Sequence, residues 1–371
     1  MRPLFTNRYR HFKRYREIAN VLSRHGLGYL LETTGLDNLF RLPWQKREPQ
    51  GPPSSIAQRI RMVLEELGPA FIKLGQVLST RPDLLPAVYI TELELLQDQV
   101  PPLSFPEIKA SIEAELHQSL EQLFASFDTT PLASASIGQV HQARLTGGEH
   151  IVVKVQRPGS SRKVQTDLEI LQDFARIVTT RTEWGKLYQL QDLVSEFAQT
   201  IREELNYTFE AHNAERLRRN FLNDPQVRIP KVYWNYTTPR ILVLEYCAGV
   251  KITAINELGE REIETRTVVH RLARAFFKQL LIDGFFHADL HPGNLAVTDD
   301  GAILFMDFGV MGRLDEDLRQ KLGAMLLAVI RRNADGILRL LVAIGSVSPK
   351  VNRRKLRREL ARLMDRYATL P

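Results

Sequence analysis

Two short apolar runs, residues 295–298 and 303–306, flank Asp299-Asp300-Gly301. That combination predicts a tight β-hairpin, because Asp and Gly accept the backbone angles such a turn demands. What the hairpin ties together constrains this chain more than any other feature. His287-Ala288-Asp289-Leu290-His291-Pro292-Gly293-Asn294 leads into it, and Asp307-Phe308-Gly309 follows it. The turn therefore carries Asp307 back beside the loop bearing Asn294, so that oxygen ligands far apart in sequence converge on one cation. Phosphoryl transfer needs a carboxylate to orient the nucleophile and oxygen ligands for Mg2+, since its transition state is stabilised mainly by positioning and electrostatics. Asp289 fits the first role; Asn294 and Asp307 fit the second. Turn geometry alone accounts for each residue singly but not for their joint spacing.

Around this centre the pattern changes along the chain. Residues 9–31 carry apolar side chains at helical spacing and meet a Pro/Gly-rich linker at 43–55. A second amphipathic segment, 56–78, is interrupted at Gly68-Pro69, and a third covers 105–124. Beyond Pro131 the runs 131–136, 140–145 and 151–156 are β-prone, with Gly147-Gly148 turning between the last two. A long charged helix at 191–220, strands at 227–234 and 241–246, and a helix at 262–283 follow; everything past Asp315 reads as helix. The expectation is an α+β, bilobal chain. Its parts are a basic amphipathic segment with linker (1–50), a helical extension (51–130), a strand-rich lobe with a long helical insertion (131–248) and a helical lobe (249–371). Within the third of these β-prone runs, Lys154 sits in the apolar stretch Ile151-Val152-Val153-Lys154-Val155. Burying an ammonium is costly unless it is paired, so a carboxylate partner is expected, and Glu210 on the charged helix is the candidate.

Taken in order, these motifs resemble the ABC1/UbiB (AarF, ADCK) family of atypical kinases, from about residue 9 to beyond 312. Phe71-Ile72-Lys73-Leu74-Gly75-Gln76 is similar to the family's KxGQ motif, carried on its helical N-terminal extension. Ala133-Ser134-Ala135-Ser136-Ile137-Gly138-Gln139-Val140 resembles its alanine-rich nucleotide loop, and Glu203-Glu204-Leu205-Asn206-Tyr207-Thr208-Phe209-Glu210 its ExD motif with the helix glutamate after it. The resemblance implies a protein-kinase-like fold and ATP with Mg2+ as cofactors. It implies that Asp289, Lys154 and Glu210 are catalytic, and that Ala135, Ser136, Gly138, Lys154, Glu245, Cys247, Asn294 and Asp307 hold nucleotide. Glu245 and Cys247 lie in Leu244-Glu245-Tyr246-Cys247, where a kinase hinge would meet adenine. Lys73, Gln76, Glu204 and Asn206 would form a regulatory extension. There Asn206 replaces the family's aspartate, so the partner of Lys73 has to be Glu204, with Glu203 as an addition. Ala288 replaces the arginine that elsewhere receives a phosphorylated activation loop, and no APE-like segment follows, so neither activation-loop control nor efficient phosphorylation of proteins in trans is expected.

Charge enters where partners are concerned. The 371 residues carry a formal net charge of +7 at a pI near 9.5. Arg2, Arg8, Arg10, Lys13, Arg14 and Arg16 stand beside Phe5, Tyr9, Phe12 and Tyr15, and Arg353, Arg354, Lys355, Arg357 and Arg358 form a second cluster. Such mixtures suit an anionic lipid headgroup interface as well as a solvated helix face. No basic and aromatic nucleic-acid platform is visible, so nucleic acid is not an expected partner. One cysteine, Cys247, excludes an internal disulfide. No run reaches the roughly 18 apolar residues a membrane span needs, and a signal-peptide core is lacking. The expected location is cytoplasmic, peripheral on the inner face of a membrane. The expected partners are ATP, an anionic or quinone-precursor lipid, and enzymes of quinone biosynthesis. Two alternatives stay open: a small-molecule phosphotransferase of the aminoglycoside or choline kinase type, and a non-catalytic nucleotide-sensing scaffold that grips lipid.

Overall fold

The computed structural model describes residues 3–29, 55–96, 101–182, 185, 189–261, 263–345, 347 and 351–367. The expected linker at 43–55 lies, apart from Ser55, outside the described residues, as do the side chains of Arg2, Phe5, Arg8, Tyr9 and Arg10. The chain divides into two compact units, Met1–Phe209 with Val232–Tyr246, and Glu210–Lys231 with Cys247–Pro371.

The first unit opens with helices α1 (Pro3–Arg24), α2 (Ile56–Leu67), α3 (Pro69–Ser79), α4 (Ala87–Leu93), α5 (Phe105–Leu116) and the single turn α6 (Leu120–Leu123). The Gly68-Pro69 signal has its physical basis here: Gly68 adopts φ +98°, and Pro69 starts the next helix where its missing N–H costs nothing. Ser55 and Gln58 cap α2 reciprocally. Later come α7 (Ser160–Arg181) and α8 (Leu190–Glu204). One apolar core joins α1, α2, α3, α7 and α8 through Ile18, Val63, Phe71, Leu168 and Phe197.

Polar pairs zip α1 onto α7. His11 meets Glu169 at 2.6 Å, Tyr15 Oη donates to Asp173 at 2.9 Å, and Arg14 grips both oxygens of the fully buried Asp167 at 2.6 and 3.0 Å while donating to the Leu67 carbonyl. Burial pushes the Asp167 carboxyl above its ordinary pKa, against the opposing pull of Arg14. Two members of the basic and aromatic N-terminal cluster, Arg14 and Tyr15, are therefore spent on α7, Arg14 on the buried Asp167 carboxylate and Tyr15 on the half-buried Asp173. This corrects their assignment to a lipid-facing surface; Phe12, Lys13 and Arg16 remain exposed.

The sheet of this unit is antiparallel throughout. Its strands are β1 (Phe124–Phe127), β2 (Ala133–Ser134), β3 (Gly138–Leu145), β4 (His150–Gln156) and, after β5 of the second unit (Val227–Arg228), β6 (Ile241–Glu245). They run in the order β1-β3-β4-β6, with β2 on β3. Alternation along β4 sends Ile151, Val153 and Val155 into a core with Ile108, Ile112 and Phe124, and turns Val152, Lys154 and Gln156 to the other face. The charged helix expected at 191–220 is two helices. It breaks at Leu205-Asn206, where Asn206 Oδ1 accepts from the backbone N and the hydroxyl of Thr208 and so caps α9 (Tyr207–Asn220).

In the second unit, β5, β10 (Ile303–Phe305), β9 (Leu295–Val297) and β7 (Val250–Lys251) form one sheet, and β8 (Phe285–His287) pairs with β11 (Met311–Arg313) in another. The predicted hairpin is the β9–β10 pair, with Phe305 opposite Leu295. The strand expected at 227–234 stops at Arg228, since Pro230 has no N–H to give a ladder. The helix expected at 262–283 is shorter: α10 (Ile255–Glu260) precedes α11 (Thr265–Phe277), which widens into a π-helical turn, Lys278–Asp283, ended by Gly284 at φ +59°. Helices α12 (Glu316–Ile330), α13 (Ala334–Ala343) and α14 (Arg353–Tyr367) close the chain.

Candidate active site

In the second unit the residues of the loop and of the hairpin's far end are joined by one buried ring. His287, at the end of β8, donates from Nε2 to the Asp307 carbonyl at 2.6 Å and accepts at Nδ1 from the Asp289 amide at 3.2 Å. A carbonyl only accepts and an amide N–H only donates, so the ring carries its proton on Nε2. The His287 amide in turn donates to Oε1 of the buried Gln279 in the π-helical turn, at 2.9 Å. Phe305 and Phe308, both fully buried, lie against the imidazole. The Phe308 carbonyl accepts from Asn213 Nδ2 on α9 at 3.0 Å.

Further bonds orient the oxygen-bearing side chains. Asn294 Nδ2 donates to the Asp289 carbonyl at 3.2 Å and reaches Asp289 Oδ2 at 3.4 Å, which leaves the acceptor Oδ1 for another partner. Its carbonyl receives the Met306 amide at 3.0 Å, closing the hairpin's base. Asp307 Oδ1 accepts from Gly309 N at 2.8 Å, and Asp289 is exposed. Asn294 Oδ1 and the Asp307 carboxylate are hard oxygen donors that suit Mg2+. Among the described residues no group of three or more His, Cys, Asp or Glu could hold a metal. Glu210 belongs to this unit as a buried residue of α9. Cys247, half-buried, opens its second segment.

The first unit holds Lys154 in the middle of β4, paired with Val140 on β3 and Leu242 on β6. Its ammonium stands 5.1 Å from the centre of the Tyr207 ring. The alanine-rich loop is a tight connection from β2 to β3, closed by Ala135 N donating to the Gly138 carbonyl at 2.8 Å, with Ser136 buried inside it. Arg157, just after β4, fastens that loop. Its side chain donates to the Ala135 carbonyl at 2.8 Å and to Ser134 Oγ and the Pro101 carbonyl at 2.7 Å, and its amide to the Ile137 carbonyl at 2.8 Å. Glu245 ends β6, and the next amide, Tyr246 N, donates to the His150 carbonyl at 3.0 Å. Lys73 on α3 pairs with Glu204 at the end of α8 at 2.8 Å, both about a quarter exposed, and Gln76 donates to the Leu96 carbonyl at 3.3 Å. Sequence reasoning passed over Arg157 and Tyr207. An arginine beside Pro158-Gly159 reads as a turn residue, and a tyrosine after the ExD-like glutamates reads as helix packing; only the chain's return to the loop makes either informative.

Residues 95–341 match the ABC1 atypical kinase-like domain. The chain belongs to the ABC1 family. An uncharacterised protein from Synechocystis sp. is 42% identical over 316 residues, 85% of this chain and 54% of its own length. A probable protein kinase UbiB of Azotobacter vinelandii is 39% identical over 312 residues, 83% of this chain and 58% of its own length. The chain thus spans somewhat more than half the length of these curated relatives. Among solved structures, Rv3197 of Mycobacterium tuberculosis in complex with erythromycin matches with a TM-score of 0.58 and 25% identity, over 84% of this chain and 79% of that one. The fold is the mixed α+β, kinase-like fold of the ABC1 family. No described helix is long and apolar enough to cross a membrane.

Proposed function

We propose that this chain is an Mg-ATP-dependent atypical kinase or ATPase that supports isoprenoid-quinone biosynthesis at a membrane surface. The observation that carries the reading is the His287 ring, which fixes the Asp289 amide and the Asp307 carbonyl to one another. Such a clamp serves a carboxylate that must meet a nucleophile while its neighbours hold a cation. In this reading Asn294 Oδ1 and Asp307 hold Mg2+, whose charge offsets that of the phosphates. Asp289 orients the attacking hydroxyl or water and takes its proton. Lys154 holds phosphate oxygens. The backbone beside Glu245 and Cys247 meets adenine, and Ala135, Ser136 and Gly138 frame the phosphates. The Lys73–Glu204 pair, with Gln76 nearby, steadies a helical extension whose task is to restrict the acceptor.

Asp307→Asn keeps the Gly309 bond, which needs only an oxygen at Oδ1, but removes the charge. It is expected to abolish Mg2+-dependent ATP binding and turnover, read by calorimetry and phosphate release with and without Mg2+. Unchanged Mg2+-dependent binding in that variant is the outcome that sinks the reading. The likeness to a protein solved with erythromycin favours a second reading, transfer to the hydroxyl of a soluble small molecule. Rapid ATP-dependent phosphorylation of such an alcohol, with no response to lipid, would establish it in place of the first.

A further inference from the structure

Gly138 is the one glycine of the alanine-rich loop, and its backbone is not in the left-handed region. Conformational freedom is therefore not what the position requires. The requirement is space: a Cβ built on Gly138 would run into the Tyr207 hydroxyl and stand 3.0 Å from the Val155 carbonyl. Tyr207 is itself almost fully buried, and its ring supports the Lys154 ammonium at 5.1 Å. Gly138 pairs with Gln156 across β3 and β4, and Val140 with Lys154. The tyrosine therefore spans from the end of the loop, where β3 begins, to the lysine along one face of two paired strands. Its own place is set from three sides. Asn206 caps the helix that Tyr207 begins, the Tyr207 amide donates to the Pro239 carbonyl at 3.0 Å, and Gln156 Nε2 donates to the Leu205 carbonyl at 2.9 Å.

We infer that Tyr207 is a positioning residue that couples the alanine-rich loop to Lys154, with Gly138 kept small to seat its hydroxyl. The ring face offers negative potential to the ammonium and holds it over the sheet. The hydroxyl end, wedged at Gly138, ties the height of the ring to the loop's path. A shift of the loop is then felt at Lys154 without any direct bond between them. Asn206 serves this arrangement as a cap, a role that asparagine fills as well as aspartate does.

The inference deepens the Mg-ATP reading above and rests on it for its nucleotide arm only; a second readout stands apart from it. Gly138→Ala, Tyr207→Phe, Tyr207→Leu and the double variant Gly138→Ala/Tyr207→Phe are compared in the full chain. The readouts are the Kd for Mg-ATP and the rate at which a small amine-acetylating reagent modifies Lys154, followed by mass spectrometry without nucleotide. Gly138→Ala and Tyr207→Leu are each expected to weaken Mg-ATP binding about tenfold, and Tyr207→Phe, which keeps the ring, about twofold. In the double variant the missing hydroxyl makes room for the new methyl, so binding returns most of the way towards the parent. Lys154 acetylation should follow the same order, faster in Gly138→Ala and Tyr207→Leu and restored in the double variant, with thermal unfolding reporting that each variant is folded. A double variant no better than Gly138→Ala in both readouts overturns the coupling, as does a folded Tyr207→Leu with parental binding and acetylation. Should Gly138→Ala fail to fold, the contrast between Tyr207→Phe and Tyr207→Leu decides by the same two measurements. If the parent chain binds no Mg-ATP, the proposed function fails while the acetylation order still judges the positioning role.

Discussion

His141 shows how a polar residue can be buried in this sheet with both ring nitrogens hydrogen-bonded, and what that implies for pH. Its Nδ1 donates to the Asp128 carbonyl at 2.8 Å, and its Nε2 lies 3.0 Å from Gln139 Nε2, which can only donate; Gln139 Oε1 takes the Leu103 amide. Both ring nitrogens are satisfied only in the neutral form. Burial depresses the pKa of His141 below its ordinary value near 6.5, so the proton it would gain in the unfolded chain is refused in the folded one. A depressed pKa contributes stability that is full above about pH 6.5 and is lost as the pH falls through the folded-state value. Below about pH 6.5 this residue should therefore give the unfolding free energy a downward slope as the pH falls. Melting temperatures between about pH 5 and 7 should show that slope in the parent and a flatter one in His141→Gln. At this scale the convergence of Asp289, Asn294 and Asp307 was legible from spacing, since loop, hairpin and carboxylate follow one another in the chain. Arg157, Tyr207 and the capping role of Asn206 were not: the first two are defined by atoms that return from elsewhere, Ala135 and Lys154, and the third by a local bond to Thr208 inside what reads as one continuous helix.

Between elements, the docking of α1 on α7 depends on charge pairs as well as on the apolar stripe of Ile18 and Val21. Arg14→Leu would leave the buried Asp167 carboxylate without its fork of donors, at a cost of about 3–5 kcal/mol. Arg14→Leu/Asp167→Leu removes charge from both sides and should cost clearly less, a comparison read by denaturant unfolding of both variants. A double variant as unstable as the single would show that the pair contributes more than the relief of a stranded charge. A second element-level expectation concerns Arg157. Arg157→Ala should release the β2–β3 loop, raising amide exchange at residues 133–138 and weakening Mg-ATP binding about tenfold, because three donated bonds to Ala135, Ser134 and Pro101 are lost together. Breaks between elements were readable where the backbone demands a special residue. Gly68-Pro69 announces one boundary, while Leu205-Asn206 hides another, since asparagine caps a helix without looking like an interruption. The apolar positions of α7, Val164, Leu168, Leu171 and Ala175, recur at helical spacing. The charges among them conceal the helix, and Asp167 is buried only because Arg14 arrives from 153 residues away.

For the whole molecule, the formal charge of +7 invites the question of where an anionic surface would be met. Part of the basic N-terminal cluster is already committed, as Arg14 and Tyr15 show. Deleting residues 1–50 would also strip Ile18, Val21 and Leu27 from a core, so a truncation would confuse attachment with folding. Helix α14 is the cleaner probe. It packs on α13 with Leu356, Leu360 and Met364 half-buried, while Arg353, Arg354, Lys355 and Arg358 are exposed and only Arg357, bound to Asp335 at 2.6 Å, is partly spent. Basic residues close to an anionic bilayer contribute about 1 kcal/mol each, and that attraction fades within a Debye length of about 8 Å at physiological salt. Replacing those four exposed residues with glutamine should therefore cut co-sedimentation with vesicles rich in anionic lipid by well over tenfold at low salt, and leave thermal unfolding unchanged because none of them is buried. Raising salt on the parent chain should mimic the replacement. Vesicle binding that ignores both manipulations would mean that α14 is a solvated face, and that any membrane attachment of this kinase-like protein does not depend on its charge.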